Sequence, residues 1–255
     1  MGPGRQDGGG GLEAVTAVGA PESGGPVDPA LIDDLVTAYR VLAGEGVLDS
    51  FGHVSVRHPG RADRYLISRS IAPGSVTAAD IMEFDLDSNP VDQRGRGMYM
   101  ERFIHGEIYK ARSDVNAIVH SHSPTVIPFS VTQVPLRAIF HNGSFLGSGV
   151  PVFELRQAAG EQNHMLVDRP AYGEALAAKL ADKPVALMRG HGDVVVGPNL
   201  EVTVFRAIYT EVNARLQMQA TILGGPITFL NEYEAAKPQV TSRPWDYWKS
   251  KVQKS

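Results

Sequence analysis

Leu31, Leu35, Val36, Tyr39 and Leu42 recur in "DPALIDDLVTAYRVLAGEGVL" at the spacing of one helix face. Asp28 stands where an N-cap belongs and Gly44 lies near the far end, so the pattern predicts a first helix between them. The period then changes. "HVSVRHP" and "RYLISRS" read as short strands, and the Gly- and Pro-punctuated stretch after them, through "NPVDQRGRG", reads as turns and loops. "MERFIHGEIYKARS" predicts a helix, and "VNAIVHSHS" is a continuous, β-branched apolar run that predicts a strand. Further on, "YGEALAAKLAD" predicts a helix, "PVALMRGHGDVVVG" a strand, turn and strand, and "LEVTVFRAIYTEVNARLQMQATIL" a long closing helix. Alternation of this kind predicts an α/β fold, a sheet covered by helices. No internal repeat is visible.

The ends differ from this body. Residues 1–27 are rich in Gly and Pro and hold few large apolar side chains, too few to offset the entropy of ordering, and predict a disordered tail. Residues 28–255 are expected to form one domain. Its last segment, "RPWDYWKSKV", carries both tryptophans of the chain within four residues. They suit either a terminal segment packed on the domain or an aromatic arm covering a site, its own or a neighbour's.

Composition narrows the chemistry. A chain of 255 residues that is 43% hydrophobic can fill one sizeable core. A net charge of −4, with no block of Lys and Arg, argues against nucleic acid or an acidic membrane as partner and for a small-molecule ligand. With no cysteine at all, disulfides, thiolate ligands and cysteine nucleophiles are excluded, and a metal site must use His, Asp or Glu. No 18-residue apolar run and no signal-peptide pattern occur at the start, which gives a cytoplasmic expectation.

Two of the eight histidines, His120 and His122, sit one residue apart at the end of a predicted strand. Residues i and i+2 of a strand share a face, so both imidazoles can reach one ion, although the spacing alone also fits two unrelated histidines. His191 lies between two glycines in "MRGHGDVVVG", where a tight turn can bring a third imidazole close. Three neutral imidazoles leave coordination positions open for water or substrate, as in a catalytic divalent-metal site.

The ordered motifs "GEGVLDSFGHVSVR", "MERFIHGEIYKARSDVNAIVHSHSP" and "RGHGDVVVG" resemble the class II aldolase/adducin family over roughly residues 30–230. The resemblance implies a three-layer αβα fold with a central mixed, mainly antiparallel sheet. It implies that His120, His122 and His191 hold one divalent transition metal per subunit, zinc, manganese, iron or cobalt, and that Glu101 is the acid/base carboxylate. It also implies a homotetramer with sites near subunit boundaries. His105, four residues beyond Glu101, is expected to be a structural, hydrogen-bonded group. Tyr209, Arg215 and Gln217 are expected to serve packing and the helix surface.

Departures from the family's sugar-phosphate aldolases point to the reaction. Their second strand usually carries Gly-Asn-x-Ser followed by a turn of small residues that cradles phosphate. Here "GHVS" puts His53 in place of Asn, and "ISRSIAP" supplies Ser68, Arg69 and Ser70. Arg and His suit a planar carboxylate, which Arg can grip through two parallel hydrogen bonds. With His141 in "AIFHNGSFLG" as a second catalytic candidate, these motifs look like the branch that decarboxylates hydroxylated aromatic or pyridine dicarboxylates. His53, Ser68, Arg69 and Ser70 are then substrate-binding candidates, and Trp245, Tyr247 and Trp248 suit a flat lid over an aromatic ring. The expected activity is a metal-dependent decarboxylase. Retro-aldol cleavage, which uses the same enolate chemistry, is the alternative, and a non-catalytic adducin-like interaction protein is the second.

Overall fold

The inner strands of the sheet are buried along their whole length, and those of the second half, VALM and GDVVVG, are accordingly apolar with little polar alternation, whereas HVSVR buries a polar row on one face. A computed structural model describes residues 19–252. After helix α1 (Pro29–Gly44) come strands β1 (His53–Arg57), β2 (Arg64–Ser68) and β3 (Ile81–Asp85), then helix α2 (Phe103–Ala111) and strand β4 (Ala117–Ser121). A short helix α3 (Ile127–Val131), strand β5 (Val152–Phe153) and short helix α4 (Arg156–Ala159) lead to α5 (Pro170–Leu180) and the hairpin β6 (Val185–Met188) and β7 (Gly192–Gly197). The long α6 (Leu200–Leu223), the short α7 (Glu232–Ala235) and α8 (Ser242–Val252) complete the described chain.

The seven strands order as β3-β2-β1-β4-β7-β6-β5, antiparallel except for the β5 and β6 pair. This is the expected three-layer α/β fold with a mixed, mainly antiparallel sheet. Successive residues of each strand enter opposite cores. Val54, Val56, Val119 and Val195 join α1, α6 and α8 on one face. Ile67, Ile118, Val194 and Val196 join α2 and α5 on the other. Asp28 caps α1 by accepting from Ala30 N at 2.9 Å, and Asn199 caps α6 by accepting from Val202 N at 2.8 Å.

Two local expectations change, and the open one, the aromatic segment, resolves to the packed alternative. Within the stretch read as turns and loops, Ile81–Asp85 is a strand, with Met82 and Phe84 buried and Ile81, Glu83 and Asp85 only partly so. It has a neighbouring strand on one side only, with a single bridge from Phe84 to Pro90 on the other, and its brief alternation is set among turn-forming residues. Residues 19–27, read as the end of a disordered tail, lie along the β2 and β3 edge: Gly24 N and the Ser23 hydroxyl donate to the Glu83 carboxylate, and Arg64 Nε donates to Glu22 O. Residues 1–18 of that expected tail fall outside the described residues. Trp245 and Trp248 are buried in the core between α8, α1 and α6, so the aromatic segment is packed on its own domain. No helix of the described residues is long and apolar enough to cross a membrane.

Candidate metal centre

The histidines meet at one end of the sheet because of strand register. His120 stands opposite His53 on β1 and Val194 on β7, and Ser121 stands opposite Asp193. Met188 faces Gly192 across the β6 and β7 hairpin, so Arg189, Gly190 and His191 form its turn. Gly190 takes a φ of +64°, a conformation glycine adopts at little cost. A Cβ on Gly192 would lie 1.9 Å from the Ser121 carbonyl oxygen. Only glycine at 192 lets β7 approach the end of β4 this closely and carry His191 to the other two rings.

One ligand atom from each of Glu101, His120, His122 and His191 falls within a 4.8 Å span. His191 Nε2 is 3.1 Å from His122 Nε2, and Glu101 Oε2 lies 3.3 Å from His191 Nε2 and 3.5 Å from His120 Nε2. Each imidazole is held from behind. His120 Nδ1 donates to Asp193 O at 2.9 Å, His191 Nδ1 to Met165 O at 2.8 Å, and His122 Nδ1 to the Asp49 carboxylate at 3.0 Å. A proton on each Nδ1 leaves the Nε2 lone pairs converging on one point. His120 Nε2 is sealed from solvent and has no hydrogen-bond partner, a costly arrangement for a polar atom unless a cation takes its lone pair. Three neutral nitrogens with a carboxylate beside them fit a divalent transition metal, and open positions remain because no further protein donor joins the cluster among the described residues.

The electrostatics agree. Burial raises the cost of ionising Glu101, yet its contacts with His120 and His191 outweigh burial and hold the carboxyl far below the ordinary range. His191 shifts upward: burial opposes its charge, and Glu101 more than compensates. Both shifts mean that the site favours positive charge next to Glu101. His120, fully enclosed, is pushed down by burial and stays neutral. Glu101 itself sits in a 3-10 turn at Met100–Arg102, ahead of α2 and not within it. Its Oε1 accepts from Val167 N at 2.9 Å, which leaves Oε2 facing the imidazoles.

The other expected site residues divide. His53 is buried beside His120, ring centroids 5.0 Å apart, with Tyr99 at 4.5 Å on its other side. Ser68 is buried and spent on the fold, its hydroxyl donating to Arg69 O at 3.0 Å and contacting the Tyr99 hydroxyl at 3.1 Å. Arg69 Nε donates to Asp80 at 2.5 Å, and among the described residues no hydrogen bond engages its Nη atoms. Ser70 is exposed, its backbone tied to Gly97 O at 2.9 Å. His105 is structural as expected, bonded to His53 and Ser55. Gln217 is buried and binds the backbone of Pro135 and Arg137, so it packs the loop after β4 onto α6.

Three expectations fail within a single chain. His141 is exposed and lines a separate 450 Å³ groove with Leu230, Gln239 and Arg243, because the segment after β4 is carried across α6 by Asn213 and Gln217. Trp245 is enclosed by the core on the α1 face of the sheet, whereas the imidazole of His120 points to the α2 face. Tyr247 is exposed with Lys251 over its ring, away from the cluster. Sequence reading missed Asp49, the Met165 carbonyl and Val167 N. Of these only Asp49 left a trace, in the turn-like "LDSFG".

Known proteins share this chain's sequence pattern and fold. The model of the class II aldolase and adducin N-terminal domain matches residues 33–218. Decarboxylase tropJ of Talaromyces stipitatus is 36% identical over 245 residues, covering 86% of this chain and 92% of its own. A 3,4-dihydroxyphthalate decarboxylase of Arthrobacter keyseri is 30% identical over 218 residues, covering 80% and 84%. The crystal structure of an aldolase II superfamily protein from Pseudomonas syringae superposes with a TM-score of 0.75 at 24% identity, covering 89% of this chain and 95% of its own, a likeness of fold.

Proposed function

The chain belongs to the class II aldolase and adducin family, and we propose that it is a divalent-metal-dependent decarboxylase of a hydroxylated aromatic or heteroaromatic dicarboxylate such as a dihydroxyphthalate. The observation that carries the reading is the ionised Glu101 beside three imidazoles whose Nε2 lone pairs converge at the sheet end, next to His53. The names of both relatives support the reaction, and that of the Arthrobacter keyseri enzyme supports the substrate class. His120, His122 and His191 would hold the metal. When bound, the cation supplies a Lewis acid that draws negative charge onto a neighbouring substrate oxygen. Glu101, ionised and anchored through Oε1, would take the proton of the substrate's ring hydroxyl at Oε2 and return it to the ring carbon that has lost carbon dioxide. The two free Nη atoms of Arg69 offer a fork for a second carboxylate, and His53 a further polar contact.

A homotetramer completes the reading. His141 and Tyr247, exposed on their own chain, are then available to a neighbour's site. The test is carbon dioxide release from 3,4-dihydroxyphthalate by metal-reconstituted protein, run beside retro-aldol cleavage of sugar phosphates. Decarboxylation with little cleavage is expected. Cleavage alone would replace the reading by an aldolase, and a protein that binds no divalent metal would replace it by a non-catalytic one.

A further inference from the structure

Four buried side chains run in line from the metal cluster to the layer beneath α2. His53 Nδ1 lies 2.6 Å from His105 Nε2, His105 Nδ1 lies 2.6 Å from Ser55 Oγ, and Ser55 Oγ lies 2.8 Å from the Tyr109 hydroxyl. The geometry follows from two periods: positions 53 and 55 share a face of β1, and positions 105 and 109 share a face of α2. None of the four keeps more than 2% of its surface. At the far end the guanidinium of Arg57 lies 4.6 Å from the Tyr109 ring centroid and spends its N–H groups on backbone carbonyls. Ser55 is the only hydrogen-bond partner of the Tyr109 hydroxyl among the described residues.

The direction of the protons in this chain can be worked out. Three hydrogen bonds link four groups, so one donor is left over, either at one end of the line or at Ser55, whose O–H, were the hydroxyl to accept from both neighbours, would be sealed in the core without an acceptor. If His53 donated from Nδ1, the leftover donor would be the Tyr109 O–H, sealed in the core with no acceptor, at a cost of about 1–3 kcal/mol. In the opposite direction Tyr109 donates to Ser55, Ser55 to His105 Nδ1, and His105 Nε2–H to His53 Nδ1. The leftover donor is then His53 Nε2–H. That nitrogen is not among the sealed, unpartnered side-chain atoms, and its ring stands beside that of His120 at the metal cluster.

We propose that Tyr109, Ser55 and His105 are positioning residues that lock His53 as its Nε2–H tautomer, making it a hydrogen-bond donor to a carboxylate oxygen of the substrate beside the metal cluster. A protonated Nε2 has no lone pair, so the same lock keeps this fourth imidazole out of the ligand set although its ring lies only 5.0 Å from that of His120. The carboxylate part of the inference rests on the decarboxylase reading; the tautomer does not.

The test uses metal-free, full-length protein labelled with ¹⁵N at histidine, in which long-range ¹H–¹⁵N spectra report which ring nitrogen carries the proton and His53→Gln assigns the signal. His53 is expected to be protonated at Nε2 and bare at Nδ1; a proton on Nδ1 overturns the lock. The Ser55→Ala/Tyr109→Phe double variant removes both hydroxyls and frees His105 to turn. It is expected to populate both His53 tautomers and to raise the KM for dihydroxyphthalate about two- to tenfold with a smaller change in kcat, as a partly competent population requires. An unchanged KM despite mixed tautomers overturns the carboxylate contact. Failure of every form, wild type included, to release carbon dioxide would sink the decarboxylase reading and leave the tautomer result standing on its own.

Discussion

Asp49 grips His122 across 73 residues of sequence, its Oδ2 accepting from His122 Nδ1 at 3.0 Å while its Oδ1 accepts from Phe51 N at 2.8 Å and Gly52 N at 3.1 Å. One carboxylate therefore sets the tautomer of a candidate ligand and fixes the turn that leads into β1. The same turn places Phe51, 71% exposed, against the His122 ring at 6.5 Å.

Asp49→Asn keeps the turn's acceptor and removes the charge behind His122. Supporting groups of this kind are worth about 10–100-fold in metal affinity, and a loss of that order is expected here. Titration of metal-free protein with zinc or manganese measures it directly. Wild-type affinity in the variant would show that His122 needs no orienting carboxylate.

Glu101→Gln separates proton transfer from metal retention. The amide oxygen can still accept from Val167 N, and the three imidazoles are untouched, so fold and metal content should survive. Turnover of the decarboxylated substrate should fall about 10²–10⁴-fold, the usual contribution of a positioned acid or base. Metal content by atomic absorption, read beside kcat, tests both halves. Full turnover would remove Glu101 from the mechanism.

What sequence reading could and could not reach follows from the range of the interactions. His120 and His122 were legible because strand period two is a local rule, and His191 because flanking glycines mark a tight turn. β3 was missed because an edge strand set among Asp, Ser and Pro carries only a short alternation. The Asp49 grip and the His53, His105, Ser55 and Tyr109 line depend on how a turn meets a strand end and how α2 lies on the sheet, which no local period encodes. The aromatic tail was ambiguous for a related reason. Trp245 and Trp248 share a face of α8, and that spacing suits core and lid equally until the helix is docked.

That docking is itself testable. Trp248 is 6% exposed and packs 6.4 Å from the Tyr209 ring, so Trp248→Ala should cost about 3–5 kcal/mol of unfolding free energy, as large-to-small core changes do. Metal affinity should be unaffected, because Trp248 belongs to the core on the α1 face. Denaturant unfolding and metal titration on the same preparation decide it. A stable variant with weakened substrate binding would return Trp248 to the site.

Asp193 gives a prediction in pH. Its side chain is fully buried, and burial lifts the carboxyl to about 7 against the lowering effect of the Ser121 hydrogen bond, with Glu211 nearby adding to the rise. The folded protein thus holds a proton that the unfolded chain releases near its ordinary value of 3.8. The stabilisation from that proton is complete below about 4 and is lost as pH rises through about 7, when the folded state must ionise a sealed carboxylate. Asp193→Asn, neutral at every pH, should therefore gain on the wild type between pH 5 and pH 8, by on the order of 2–4 kcal/mol. Denaturant unfolding of metal-free protein at both pH values isolates this from metal binding, since the comparison is between variant and wild type under the same conditions. A difference that does not change with pH would mean that Asp193 is already ionised in the fold, held by Ser121 strongly enough to overcome its burial.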